Sequence, residues 1–308
     1  MSRVLITGGA GFIGSHLVHR FVEEGAQVRA FDNLSSGNME NLAAVRDRIE
    51  FIQGDVQDAE ATAAACRDVD YVFHEGAIPS VPKSVADPLG TDSPNLRGTL
   101  QMLESARKAG VKRFIFAASS AAYGNNPVLP KREDMIPEPV SPYAVQKVAS
   151  ELYMGSYAQV FGLQTVALRY FNIFGVRQDP TSQYSGVLAR FISLMAKNEC
   201  PTIFGDGETS RDFTHVDNVV QANLLAASAP AHVSGRVYNV ATGHRVTLNH
   251  AFATIGRIMG FEGKPQYQPE REGDIRHSVA DIARAQDELG YRVTVSFEDG
   301  LGKMLRKG

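Results

Sequence analysis

Thr7-Gly8-Gly9-Ala10-Gly11-Phe12-Ile13-Gly14 decides how this chain is read. Before it runs a short apolar stretch, Val4, Leu5 and Ile6. After it Ile13, Leu17, Phe21 and Val22 recur at helical spacing as far as Gly25, and a second apolar run, Val28 to Phe31, ends at Asp32. Strand, glycine turn, helix, strand and acid is the order in which a glycine fingerprint carries information. Gly9, Gly11 and Gly14 satisfy G-x-G-x-x-G, and Gly8, Gly11 and Gly14 satisfy the wider G-x-x-G-x-x-G. Glycines let the backbone turn sharply and approach a pyrophosphate, while the helix N-terminus offers N–H groups and partial positive charge. Asp32, about 20 residues past the glycines, suits two ribose hydroxyls and would repel a 2′-phosphate. No arginine follows it in Asn33-Leu34-Ser35, so NAD is favoured over NADP.

The alternation continues downstream. Ile49–Ile52 reads as a strand ending in Gly54-Asp55-Val56, Ala59–Ala65 as a helix, and Tyr71–Phe73 as a strand running into His74-Glu75-Gly76-Ala77. A helix from about Asn95 stops near Gly110, and Phe114–Ala117 is a strand ending in Ala118-Ser119-Ser120. Strands and helices alternating at this spacing imply an α/β fold: a Rossmann-type, doubly wound parallel sheet covered on both faces. Ligands of such sheets bind beyond the carboxyl ends of the strands, where Asp32, Asp55, Gly76 and Ser119 all fall. Residues 1–169 read as the NAD-binding domain and 170–308 mainly as a smaller C-terminal α/β substrate domain, with segments near 213–241 returning to the sheet.

Ser141-Pro-Tyr-Ala-Val-Gln-Lys147 carries the chemistry. Ser141 is a natural N-cap and Pro142 suits the first helical position. The helix then runs on to a stop at Gly162. Tyr143 and Lys147 are thus one turn apart on one face. An ammonium beside a phenol favours the phenolate and is expected to bring Tyr143 below its ordinary pKa of about 10, making it a proton acceptor.

Bulk properties narrow the function. Apolar content of 44% with 21% charged residues is that of a soluble globular protein, and a net charge of −3 gives no reason to expect nucleic acid or an anionic membrane surface. The start of the chain goes straight into a strand without a signal-peptide core, and no apolar run reaches transmembrane length. Cys66 and Cys200 stand alone, which fits a reduced, cytoplasmic setting without disulfides. His16 and His19 have no third ligand nearby, so no metal is expected.

The ordered set Thr7–Gly14, Asp32-Asn33, Asp55-Val56, His74–Ala77, Asn95, Ser119-Ser-Ala-Ala-Tyr-Gly124, Tyr143-x-x-x-Lys147 and Arg169-Tyr-Phe-Asn172 resembles the extended short-chain dehydrogenase/reductase superfamily. Gly205-Asp-Gly-Glu-Thr-Ser-Arg-Asp-Phe213 and Arg271-Glu-Gly-Asp-Ile-Arg-His-Ser278 are similar to its NAD-dependent UDP-hexose 4-epimerase branch. The resemblance implies Ser119, Tyr143 and Lys147 as the catalytic set, Tyr143 taking a proton from the sugar 4-hydroxyl while a hydride passes to NAD and later returns. It implies a cofactor site of Gly8, Gly11, Phe12, Ile13, Gly14, Asp32, Asn33, Asp55, Val56, Gly76, Asn95, Tyr143, Lys147 and Tyr170. It implies substrate contacts from Ser119, Asn172, Phe204, Arg211, Arg271 and Ser278, with the two arginines on the UDP pyrophosphate. A homodimer is implied as well, through the Tyr143 helix and the Asn95–Ala109 helix, with Leu100, Leu103, Leu152 and Tyr153 as apolar area.

Departures select among branches. Dehydratases of this type carry Asp-Glu directly after the catalytic residue, and decarboxylases an acid at the second position; here those positions are Ser120 and Ala121. Ser278 matches a pocket gate where a small residue admits N-acetylated sugars. UDP-N-acetylglucosamine and UDP-N-acetylgalactosamine are therefore expected substrates alongside UDP-glucose and UDP-galactose. The competing readings are a UDP-glucuronate 4-epimerase or decarboxylase, and an NAD-binding sensor without catalysis.

Overall fold

The computed structural model describes residues 2–178, 186–270 and 275–305. Seven parallel strands form the central sheet. In chain order these are β1 (Arg3–Thr7), β2 (Gln27–Asp32), β3 (Ile49–Gln53), β4 (Tyr71–His74), β5 (Arg113–Ser119), β6 (Gln164–Tyr170) and β7 (Arg236–Val240). Their spatial order is β7-β6-β5-β4-β1-β2-β3, so the order reverses next to β1. This is the topological switch point at which such sheets bind ligands.

Strand side chains alternate between two buried faces, as a doubly covered sheet requires. Val4 and Ile6 enter one apolar cluster with Leu17 and Phe21 of the first helix (Phe12–Glu23) and Val219 of the helix Val216–Ser228. Leu5 enters the other, with Met102 and Leu103 of the helix Gly98–Lys108 and Met154 and Tyr157 of the helix Pro142–Phe161. Each such side chain contributes about 1.5–3 kcal/mol by leaving water.

The register is what positions the site. Thr7 pairs with His74 across β1 and β4, and Ser119 pairs with Tyr170 across β5 and β6. The carboxyl ends of the central strands therefore finish level with one another.

A third apolar cluster belongs to the later part of the chain. Phe174, Phe191, Phe213, Ile255 and Phe297 pack together there. Two short ladders lie nearby: Thr202–Phe204 with Gln266–Gln268, and Ser210–Arg211 with Val246–Thr247. Three helices escaped the sequence pattern. The short helices Val81–Ala86 and Pro88–Asp92 are begun by Ser80 and Asp87 caps, each followed by proline within the first turn, rather than by apolar periodicity. The helix Phe297–Leu305 buries only Phe297, Gly300 and Leu301, too few to mark a repeat.

Candidate active site

The glycine loop forms a cradle that side chains would fill. Gly8 has φ +63, and a Cβ on it would stand 2.8 Å from the Gly76 nitrogen; one on Gly14 would stand 2.1 Å from the Gly8 carbonyl oxygen. The first helix begins directly behind this loop. Its N-cap, Gly11, supplies no side-chain hydrogen bond, and its first turn carries no acid. The first-turn N–H groups around Phe12 and Ile13 are thus left for an outside anion. At the end of β2, Asp32 is buried and accepts from the Ala10 N–H at 3.0 Å and the Leu34 N–H at 2.8 Å. Asn33 donates to Asp55 at 2.8 Å, and Gln57 donates to the same carboxylate, holding its pKa below the usual range despite its partial burial. Val56 packs against Gly98, where a Cβ would meet its methyl group at 2.6 Å. A glycine cradle, an uncapped helix start and a buried acid at the next strand end fit a dinucleotide.

Tyr143 and Lys147 stand on the helix Pro142–Phe161, begun by Ser141, whose hydroxyl accepts from the Ala144 N–H, and closed by Gly162 at φ +70. Buried Arg169 of β6 ties this helix to the sheet through a two-point pair with Glu151 at 2.7 and 2.9 Å. Ser119, the last residue of β5, hydrogen-bonds to the Tyr143 side chain and also caps Ala121 N–H at 3.2 Å. The structure thus brings Ser119, Tyr143 and Lys147 together.

The expected lowering of the Tyr143 pKa does not arise from the chain alone. Burial raises it above the ordinary value, with the Ser119 hydrogen bond only opposing that rise. Lys147 Nζ lies 6.0 Å from the centre of the tyrosine ring and donates instead to the Ala117 carbonyl at 2.7 Å. Its own pKa is brought down to about 8 by burial, against the pull of Glu75 and Glu151. The chain supplies the geometry for proton transfer; an acidic tyrosine needs a further positive charge in the site.

A hydrogen-bond chain that the sequence did not reveal joins the glycine loop to the catalytic helix. Thr99 donates its hydroxyl proton to the Asn95 carbonyl at 2.6 Å, so it can only accept from His74 Nε2–H at 3.0 Å. His74 Nδ1 is then bare and accepts from the Thr7 hydroxyl at 2.7 Å, and Thr7 accepts from Gly76 N–H at 3.1 Å. Burial, and secondarily Lys147, bring the His74 pKa down to about 3, so the ring is a neutral spacer. Asn95 is fully engaged by its own chain. It accepts from Ile78 N–H at 2.7 Å and donates to the Ile78 carbonyl at 3.1 Å and to Gln146 at 2.8 Å. Asn95 therefore anchors the loop beside the expected cofactor rather than presenting a free amide. Ser84 accepts the first-turn N–H of Tyr143 itself at 3.0 Å.

Tyr170, at the end of β6, donates to Glu75 at 2.7 Å and accepts from Asn223 at 2.8 Å. Burial pushes the Glu75 carboxyl up to about 7, with Tyr170 and Lys147 pulling the other way. Glu75 directly follows β4, within the His74–Ala77 stretch of the sequence.

The remaining expected contacts lie farther along the chain. Asn172, at φ +40, donates to the Asp212 carbonyl at 3.1 Å. Arg211 and Ser278 are brought together, because Ser278 N–H donates to the Ser210 carbonyl at 3.1 Å and Arg211 donates to the same oxygen at 3.0 Å. Phe204 sits on the separate ladder opposite Gln268. Arg271 lies outside the described residues. Asp212, unnoticed beside Arg211, is fully buried and accepts four hydrogen bonds from Thr242, Gly243 and Ala280. His16 and His19 each meet a backbone carbonyl, at Val176 and Asn41.

Comparison with known proteins gives the family. The model of the NAD dependent epimerase/dehydratase family matches residues 4–241. A protein of Mycolicibacterium smegmatis named UDP-glucose 4-epimerase is 38% identical over 98% of this chain and 96% of its own. Among solved structures, the UDP-N-acetylglucosamine 4-epimerase of Methanobrevibacter ruminantium in complex with UDP-N-acetylmuramic acid is 41% identical. It covers 99% of this chain and 97% of its own, with a TM-score of 0.94. The UDP-glucose 4-epimerase of Thermotoga maritima with UDP-glucose is also 41% identical over the same shares, with a TM-score of 0.93.

Proposed function

The chain belongs to the NAD dependent epimerase/dehydratase family, and on that premise we propose that it is a UDP-sugar 4-epimerase interconverting gluco and galacto forms. Its cofactor is NAD. The observation that carries the reading is the meeting of Ser119, Tyr143 and Lys147 beside the glycine cradle, with Ser120 and Ala121 where related lyases place acids. Gly8, Gly11, Phe12, Ile13 and Gly14 would hold the pyrophosphate, Asp32 and Asn33 a ribose, Asp55 and Val56 the base, and Gly76, Lys147 and Tyr170 the nicotinamide half.

Bound there, NAD supplies a reversible hydride acceptor for sugar carbon 4. Ser119 holds the 4-hydroxyl and the Tyr143 phenol in one hydrogen-bonded line, so the proton leaves toward Tyr143 as the hydride departs. Lys147 would supply part of the charge that burial of Tyr143 demands, bound NAD the rest. The product is a transient 4-keto sugar. No acid follows Ser119 to carry it into elimination, and the nearby Glu75 carboxylate is held by Tyr170. Tyr143 would hold the proton until the turned sugar takes it back on carbon 4's oxygen, completing the epimerisation. Asn172, Arg211 and Arg271 would hold the UDP phosphates and Phe204 the uracil, leaving the sugar free to turn. Ser278, small and beside Arg211, leaves room for a 2-acetamido group, so UDP-N-acetylglucosamine and UDP-N-acetylgalactosamine are substrates with UDP-glucose and UDP-galactose.

The test is Tyr143→Phe, which removes the proton acceptor and keeps the ring. Turnover should fall by about 10²–10⁴-fold with NAD still bound. Variant turnover within a fewfold of wild type would overturn the assignment of Tyr143.

We propose a homodimer through the same helix. Val145, Leu152 and Val160 are 50%, 71% and 68% exposed along the helix Pro142–Phe161, an apolar row that a second copy would cover. Leu103, expected at that interface, is instead fully buried in the chain's own core, and Leu100 packs against the same cluster. Among the described residues no helix is long and apolar enough to cross a membrane.

A further inference from the structure

We propose that Glu75 is the counter-charge for the oxidised nicotinamide, a site residue that sets how strongly the protein prefers NAD over NADH. The inference rests on the dinucleotide site of the proposed function. Glu75 stands immediately beyond β4, next to Gly76, whose backbone packs against Gly8 of the cradle. Glu75 is half-buried. It is held between the ends of β4 and β6 by the hydroxyl of Tyr170 at 2.7 Å, which is fixed in turn by Asn223 at 2.8 Å. Tyr170 is itself the partner of Ser119 in the sheet register. Glu75 is close enough for its charge to act on both Lys147 and Tyr143. The Glu75 carboxylate is thus pinned at the strand ends where the catalytic groups meet.

The consequence follows from charge alone. The oxidised nicotinamide ring carries a positive charge and the reduced ring does not. A fixed carboxylate nearby stabilises the first against the second. An enzyme that must end each turnover with its cofactor oxidised gains from that bias, because it disfavours loss of the keto sugar with the ring left reduced. A unit charge several ångströms away, at an effective dielectric of about 20, changes the ratio by roughly tenfold to a hundredfold.

Two substitutions separate charge from hydrogen bonding. Glu75→Gln keeps an acceptor for Tyr170 and removes the charge. Glu75→Asp keeps the charge and shortens the reach to Tyr170. The readout is the ratio of NAD to NADH affinity at about pH 8, where the Glu75 carboxyl (pKa about 7) is ionised, measured by competition on the full-length protein with circular dichroism confirming the fold. The expected result is a shift toward NADH of about tenfold or more in Glu75→Gln, and a ratio within about twofold of wild type in Glu75→Asp. An unchanged ratio in Glu75→Gln overturns the proposal. A ratio disturbed in Glu75→Asp but not in Glu75→Gln also overturns it, and makes Glu75 a hydrogen-bonding peg. The measurement needs no sugar, so a wild-type protein that binds NAD but forms no epimer would refute the proposed function and leave this test intact.

Discussion

Asp212→Asn is the substitution whose cost the structure specifies most closely. One oxygen of Asp212 accepts from Thr242 N–H at 2.8 Å and the Thr242 hydroxyl at 2.6 Å. The other accepts from Gly243 N–H at 3.0 Å and Ala280 N–H at 3.2 Å. An asparagine keeps one oxygen and turns an NH₂ toward the other pair of donors. With its NH₂ toward Gly243 and Ala280 the amide leaves two buried donors without an acceptor; toward Thr242 it leaves only the N–H, because the hydroxyl can turn to the His244 carbonyl at 3.4 Å and accept, and each lost acceptor costs about 1–3 kcal/mol. Burial raises the Asp212 carboxyl pKa, so relief of a buried charge returns part of that cost. A net loss of about 1–2 kcal/mol is expected. The damage should also reach the substrate side, because Ala280 lies two residues past Ser278 and Asp212 directly follows Arg211. Urea unfolding should show a lowered midpoint with an unchanged slope, and KM for the UDP-sugar should rise more than kcat falls. A stability loss below about 0.5 kcal/mol with KM unchanged would refute the reasoning.

Three further outcomes are expected. Ser84→Ala leaves the Tyr143 N–H without its acceptor, and should lower kcat by roughly tenfold while sparing KM, since it misplaces the tyrosine and touches no ligand; equal effects on both would argue for general loosening. Glu75 binds its proton more tightly in the folded chain (about 7) than in the unfolded one (4.5), so its contribution to stability is full below pH 4.5 and is lost as pH rises through 7. In cofactor-free protein Glu75→Gln should remove a decline on the order of 1–3 kcal/mol across that window, visible as a flatter plot of thermal midpoint against pH. Leu152→Glu places a charge in the exposed apolar row and should convert a dimer to monomers by light scattering; a dimer surviving it would move the interface elsewhere.

The sheet was legible because its signals are local and repeated. Buried runs such as Val4–Ile6 and Phe114–Ala117 ended in glycine, acid or serine, and those endings proved to be the carboxyl ends of adjacent strands. The Tyr143 helix was legible at both ends, from its Ser-Pro start and its glycine stop. What was illegible depends on pairings between distant residues. Nothing in the sequence couples Thr7 to His74, Ser84 to Tyr143, or Asp212 to Ala280; each bond spans 30 positions or more and exists only because the fold closes. The Tyr143 pKa failed for a related reason: spacing located the ammonium one turn away, but burial and the Ala117 carbonyl decide what that ammonium does.

The central claim is tested most directly by proton NMR of the purified protein with UDP-N-acetylglucosamine, and separately with UDP-glucose, adding no NAD. The account predicts that the galacto epimer appears from both sugars, and that Ser278→Tyr abolishes the N-acetyl reaction while sparing the other. No epimer from either sugar, with NAD then supplied in excess, would contradict it.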